Sequence, residues 1–259
     1  MKYKIIFVDI DWTILDHEKH DFDYPSIDAL KQAQAKGLLV YLCTARPYDS
    51  VYHTGIFNHL KPDGIVCTNG AVVFNNDKVI QSIAFPKDVM WEIARYCQKN
   101  DYILELSTER ERFFTKEKNE LVDEYFSYFA EVVPPVREYN GEDISEVLLF
   151  SREEDDEKIQ KALPQGVTMF RFASTASDLQ MTPISKDLGI KKVLSYLNIN
   201  KEEAIGIGDD YGDIPMFEAV GFSIAMGNGR PEAHEKAKMV TKKISESGLK
   251  HALHELKII

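Results

Sequence analysis

The run Lys4-Ile5-Ile6-Phe7-Val8-Asp9-Ile10-Asp11-Trp12-Thr13 decides how this chain is read. Its β-branched and aromatic half predicts a short buried strand. The strand ends in two carboxylates one residue apart, with a hydroxyl just after them. In an open α/β sheet, ligands and chemistry collect at the carboxyl ends of strands. Two acids in that place point to a hard cation and a phosphoryl group.

Downstream of this run, strands and helices alternate. Pro25 and Ser26 open a helix with Ile27, Leu30 and Ala33 on one face, and Gly37 stops it. Leu38 to Cys43 is a second strand, ending at Thr44-Ala45-Arg46. A helix is expected over Ser50 to Leu60, then a third strand from Gly64 to Thr68, ending at Asn69-Gly70. The segments Ala71 to Phe74 and Val79 to Phe85 read as a hairpin. This alternation predicts a Rossmann-like, doubly wound parallel sheet. Asp16 to His20 reads as a polar turn.

The texture changes between about Phe85 and Thr182. Strands outnumber helices there, and aromatic and acidic residues are dense. A helix carries Val89, Ile93 and Cys97, and another is expected near Glu120 to Ala130. Strands are expected at 102–106, 113–116, 147–151, 167–172 and 179–181. The segment is therefore an α+β insert. The alternating pattern returns at Lys186, whose helix carries Ile190, Leu194 and Leu197. Ala204 to Gly208 is a strand ending at Asp209-Asp210-Tyr211-Gly212-Asp213. Residues 1–84 and 183–259 thus form an α/β core, and residues 85–182 an inserted α+β domain.

Composition narrows the function. A formal charge of −11 argues against a nucleic-acid or anionic-membrane surface. No apolar run approaches the roughly 18 residues of a membrane span. The chain enters its first strand at once, so no signal peptide and a cytoplasmic location are expected. The three cysteines, Cys43, Cys67 and Cys97, lack the paired spacing of a disulfide framework or a zinc site, and read as buried thiols.

Asp9 and Asp11, Thr44, Lys186, and Asp209 and Asp213 all fall at strand or helix ends that share one edge of such a sheet. Each alone has an ordinary reading, as turn, cap or surface residue; their order along the chain carries the chemistry. Clustered carboxylates suit Mg2+, which prefers oxygen ligands. A lysine and a threonine suit phosphoryl oxygens. A nucleophilic carboxylate with a nearby acid/base splits phosphate-ester hydrolysis into two easier steps.

The chain resembles the haloacid dehalogenase-like phosphatases, specifically the Cof-type group with a large α+β cap. Asp9-Ile10-Asp11-Trp12-Thr13 looks like motif I, Leu42-Cys43-Thr44-Ala45-Arg46 like motif II, Ser185-Lys186 like motif III, and Gly208 to Asp213 like motif IV. Asn69-Gly70 and Ala225-Met226-Gly227-Asn228 also match. The resemblance implies that Asp9 is the nucleophile and Asp11 the acid/base. It implies a magnesium site from the Asp9 carboxylate, the Asp11 carbonyl and Asp209, with Asp213 in or beside it. Thr44, Lys186 and the amides of Ile10 and Ala45 would hold phosphoryl oxygens, and Arg46 would orient substrate or loops. The substrate would be a small phosphorylated metabolite: a sugar phosphate, nucleotide or vitamin phosphate.

Two residues depart from the pattern. Trp12 stands where the family usually has Gly, and Gly212 where Asn is common. Alternatives from other classes are a sugar phosphomutase on the same core, a receiver-like phosphoaspartate switch, and a non-catalytic phosphate-ester binding protein. Arg110, Arg112, Arg137 and Arg171 of the insert are cations that suit an anionic substrate, and none is singled out as a site.

Overall fold

The computed structural model describes residues 2–129, 132–181 and 184–259. It divides into two compact units, one of Met1–Arg46, Ile56–Gln81 and Ser185–Ile259, the other of Pro47–Gly55 and Ser82–Ile184. Pro47–Gly55, expected with the core, groups with the second unit. The expected boundary at 182 and 183 and the end of the helix at Ala130 lie outside the described residues.

The first unit is built on an eight-stranded sheet. Its strand order is Met239–Val240, Phe222–Ala225, Ala204–Gly208, Ile5–Val8, Leu39–Cys43, Gly64–Cys67, Val72–Asn75, Lys78–Ser82. The first six are parallel, and the direction reverses at Val72–Asn75. Ile5–Val8 is the middle of the parallel run, with Ile5, Ile6, Phe7 and Val8 fully buried. It pairs with Leu39–Cys43 on one side and Ala204–Gly208 on the other. The chain order therefore reverses direction at this strand, which is where an open α/β sheet gathers ligands.

The helix Tyr24–Ala35 has Pro at its start and buries Ile27, Leu30 and Ala33. The helix Lys186–Leu197 ends at Asn198, which takes the left-handed conformation that closes a helix. Ile190, Val193 and Leu194 join Phe7, Tyr41 and Val66 in the core.

One local expectation is corrected. The helix expected over Ser50 to Leu60 is broken into Tyr48–His53 and a 3-10 turn at Ile56–Asn58. Gly55 lies between them at φ +80°, a conformation that stops an α-helix. The polar turn expected at Asp16 to His20 is present, and it forms the tip of a two-stranded ribbon, Leu15–Asp16 against Asp21–Phe22.

The second unit carries a five-stranded antiparallel sheet. Its order is Thr168–Arg171, Ala176–Gln180, Glu146–Phe150, Ile103–Ser107, Arg112–Phe114. Met90, Ile93, Cys97 and Ile159 pack against Leu104, Leu106, Val147, Leu149 and Leu179. Val122 and Phe126 pack with Ile103, Phe114, Leu148 and Phe150, residues of alternate sequence position and hence of the opposite face. All three cysteines are buried and unbridged. Among the described residues no helix is long and apolar enough to cross a membrane.

The four arginines noted above are engaged within this second unit. Arg112 pairs with Asp49 and Glu105, each at 3.1 Å. Arg171 holds Asp156 at 2.7 Å, and Arg137 pairs with Glu142 and lies over the Phe113 ring. Arg110 lies over the ring of Tyr48.

Glu146 accepts a hydrogen bond from the Ser107 hydroxyl at 2.9 Å. Burial, and then the neighbouring Asp178 and Glu105 carboxylates, push its carboxyl up to about 8. A carboxyl raised in the folded state favours folding while protonated, and that contribution is lost as pH climbs from about 4.5 to about 8. Glu146→Gln keeps the shape and removes the charge. Its melting temperature relative to the parent is expected to rise between pH 5 and pH 8, as read by thermal unfolding at both pH values.

Candidate active site

The parallel strands bring distant residues to one edge. Asp9 follows the Ile5–Val8 strand, and Asp209 follows Ala204–Gly208. Asp213 closes the 3-10 turn Tyr211–Asp213, and Lys186 is the first residue of its helix. All four are buried. The Lys186 ammonium lies 2.6 Å from Asp9 Oδ1 and 2.6 Å from Asp213 Oδ1. The other oxygen of Asp213 accepts the amides of Asp209 at 2.9 Å and Asp210 at 3.0 Å. Thr13 donates its hydroxyl to Asp209 Oδ1 at 2.9 Å.

Gly208 is required where it stands, because a Cβ there would come within 2.3 Å of Asp213 Cγ. The absence of a side chain lets the Asp213 carboxylate tuck against the end of the strand. Gly212 has the opposite character: a Cβ would meet nothing within 4 Å. The missing side chain at 212 is therefore not imposed by packing.

Three carboxylates around one ammonium leave the cluster short of positive charge. Carboxylate oxygens of Asp9, Asp209 and Asp213 can all lie within 4.8 Å of one another. Burial pushes the Asp9 carboxyl well above the usual range, and Asp213, Asp209 and Asp11 add to the rise against the pull of Lys186. Burial and the Asp213 charge push Asp209 up to about 7. Burial works against the charge of Lys186, but Asp213 and Asp9 outweigh it and hold the ammonium charged. Buried oxygen donors with excess negative charge fit a hard divalent cation.

The Asp11 carboxylate lies outside this ammonium cluster, in a separate clamp. Arg46 donates from Nε to Oδ2 at 2.8 Å and from Nη2 to Oδ1 at 2.7 Å. His17 Nε2 lies 2.7 Å from Oδ1. Burial raises the Asp11 carboxyl, but the His17 and Arg46 hydrogen bonds outweigh it and hold it below the usual range.

The loop Thr44-Ala45-Arg46 is fixed from below. Thr44 N donates to Val66 O, Thr68 N to Arg46 O, and Asn69 N to Thr44 O. The Thr44 hydroxyl oxygen accepts the Arg46 amide at 3.1 Å, which leaves its proton to be donated. Among the described residues the amides of Ile10 and Ala45 have no protein acceptor.

Three residues of the site carried no assigned role in the sequence reading. Thr13 had a signal, as the last residue of the opening run. His17 had none, because a turn residue next to two other charges looks like surface. Asn228 sits in a matched segment, and it fixes the backbone at Trp12: its Nδ2 donates to Trp12 O at 2.9 Å. Trp12 itself is 39% exposed, at φ +58°, and so is not part of the core.

Residues 6–253 match the profile of the haloacid dehalogenase-like hydrolase family. The chain spans 55% of a longer Streptococcus pyogenes relative, to which it is 28% identical over 261 residues. It is 27% identical over 255 residues to phosphoglycolate phosphatase 1 of Saccharolobus solfataricus, covering 98% of this chain and 95% of that one. The solved structure of the haloacid dehalogenase subclass IIB sugar phosphatase BT4131 superposes with a TM-score of 0.80 at 26% identity, over 99% of this chain and all of the other. With its parallel core and this set of buried acids, the chain belongs to the haloacid dehalogenase-like hydrolases, as a Cof-type phosphatase.

Proposed function

We propose that the chain is a magnesium-dependent phosphatase of small phosphorylated metabolites that works through an aspartyl-phosphate on Asp9. The observation that carries this reading is the buried Asp9–Lys186–Asp213 bridge with Asp209 beside it. The relatives named for phosphoglycolate and sugar phosphates support the substrate class.

The Asp9 carboxylate, the Asp11 carbonyl and Asp209 would hold the cation, with Asp213 bracing Asp209 through its backbone amide. When bound, magnesium would neutralise charge on the carboxylates and the phosphoryl oxygens. Two of the three Lys186 N–H groups meet Asp9 and Asp213, which leaves the third for a phosphoryl oxygen. The Thr44 hydroxyl and the amides of Ile10 and Ala45 complete the cradle.

In the first step an Asp9 oxygen bonds to phosphorus as the ester P–O bond breaks, and Asp11 passes its proton to the leaving alkoxide. In the second, Asp11 takes a proton from water, whose oxygen attacks the aspartyl-phosphate and releases phosphate and the Asp9 carboxylate. Arg46 orients Asp11. The inserted unit would select among substrates.

Phosphate release from p-nitrophenyl phosphate, with magnesium and with EDTA, tests the reading. Turnover only with the cation is expected, followed by hydrolysis of members of a metabolite panel. Full activity in EDTA would overturn the metal dependence. Conversion of a hexose 1-phosphate to the 6-phosphate without phosphate release would replace the phosphatase with a mutase.

A further inference from the structure

We propose that His17 is a positioning residue that holds the Asp11 carboxyl in its working orientation, and that Trp12 fixes His17. The proposal rests on the reading of Asp11 as the acid/base.

His17 stands at the tip of the Leu15–Asp16 and Asp21–Phe22 ribbon, and its Nε2 reaches Asp11 Oδ1 at 2.7 Å. The tip is itself held, because buried Asp16 accepts the amides of Glu18 at 3.0 Å and Lys19 at 3.3 Å through Oδ1. The imidazole is packed from one side by the Trp12 indole, with centroids 5.1 Å apart and planes tilted by 45°.

Trp12 takes a conformation that a bulky side chain rarely adopts, φ +58°. Such an outlier persists only where the surroundings over-determine it. Asn228 does this, donating to Trp12 O while its own Oδ1 accepts the Ile244 amide at 2.7 Å. A chain of contacts thus runs from Ile244 through Asn228, Trp12 and His17 to Asp11.

Arg46 can only donate to Asp11. A histidine ring nitrogen donates to a carboxylate or, in the other tautomer, accepts from a carboxylic acid. His17 can therefore take either side of a hydrogen bond to Asp11, and the ribbon and Trp12 fix where its nitrogen stands.

Leaving-group dependence separates positioning from mere stability. The ester bond of p-nitrophenyl phosphate breaks to a stable phenolate that needs no proton, whereas an alkoxide needs one. kcat and KM are measured for the parent, His17→Ala, His17→Gln and Asp11→Asn on p-nitrophenyl phosphate and on one alkyl phosphate that the parent hydrolyses. Thermal unfolding is followed for each.

His17→Ala is expected to lower kcat/KM on the alkyl phosphate by about 10–100-fold through kcat, the range for residues that orient a ligand from behind. The loss of kcat/KM on the aryl phosphate, which reports only the steps through ester-bond cleavage, is expected to stay under about threefold, far below a general-acid contribution; kcat there falls further wherever the water step, which also uses Asp11, limits turnover. His17→Gln, which keeps a donor and an acceptor, should recover most of the alkyl activity. Equal losses of kcat/KM on both substrates, or no loss where Asp11→Asn shows the leaving-group difference in kcat/KM, would overturn the role of His17 alone. Asp11→Asn without that difference would overturn the acid/base reading and the proposal with it.

Discussion

Asp9→Asn is expected to release no measurable phosphate and yet to unfold no earlier than the parent in EDTA. Removing the nucleophile should cut kcat on the order of 10^4-fold or more, the scale seen when a covalent catalytic group is lost. Stability should move the other way. The Asp9 carboxyl is pushed well above the usual range by burial and by Asp213, Asp209 and Asp11. A group raised in this way contributes stability while protonated and loses it as pH rises through the folded value. Asparagine is neutral at every pH, so the variant should equal or exceed the parent melting temperature at pH 7–8. A clear drop, with the fold otherwise intact, would show that the Asp9–Lys186 pair stabilises more than the carboxylate repulsion costs.

The partner should behave oppositely. Lys186→Met keeps the length of the side chain and removes the only ammonium bonded to Asp9 and Asp213 among the described residues. Breaking a buried pair from one side leaves uncompensated charge, at a cost of about 3–5 kcal/mol. For a chain of this size that corresponds to a fall in melting temperature of roughly 6–20 °C. Activity should vanish as well, since the same ammonium would meet the phosphoryl group. Asp9→Asn in the Lys186→Met background should recover part of the loss. Differential scanning calorimetry of the two single variants and the double variant in EDTA checks this; additive losses would refute the coupling.

The opening run, the Lys186 helix and the Asp209 to Asp213 turn were legible because each reactive residue ends a strand or begins a helix. Periodicity locates such ends, and a parallel sheet brings them to one edge. The roles proposed for these residues stand on the resemblance and on the experiments above, but their placement beside one another is geometric. Arg46 was legible as a residue, though not as the bidentate partner of Asp11.

His17 and Asn228 were illegible for a different reason. Their contacts run through side chains across a turn, or over 216 residues of sequence from Asn228 to Trp12. No periodicity encodes a contact of that kind. Trp12 drew attention as a departure from the family pattern, yet its positive φ and its packing on His17 could not be read from it. The helix that broke at Gly55 failed because one left-handed glycine outweighed the apolar spacing around it.

The central position of Ile5–Val8 has a consequence for the growing polypeptide. Only about 30 residues separate this strand from its neighbour Leu39–Cys43, so the two are made close together in time. Its other neighbour, Ala204–Gly208, follows about 160 residues later, from Cys43 to Ala204. At ribosomal speeds of about 5–20 residues per second, one edge of the strand bearing Asp9 stays unpaired for roughly ten to thirty seconds. Unpaired apolar edges invite association with other chains. The nascent chain is therefore expected to be most vulnerable to misassembly in that interval, and to gain its buried acid cluster only once residues through Asp213 have emerged.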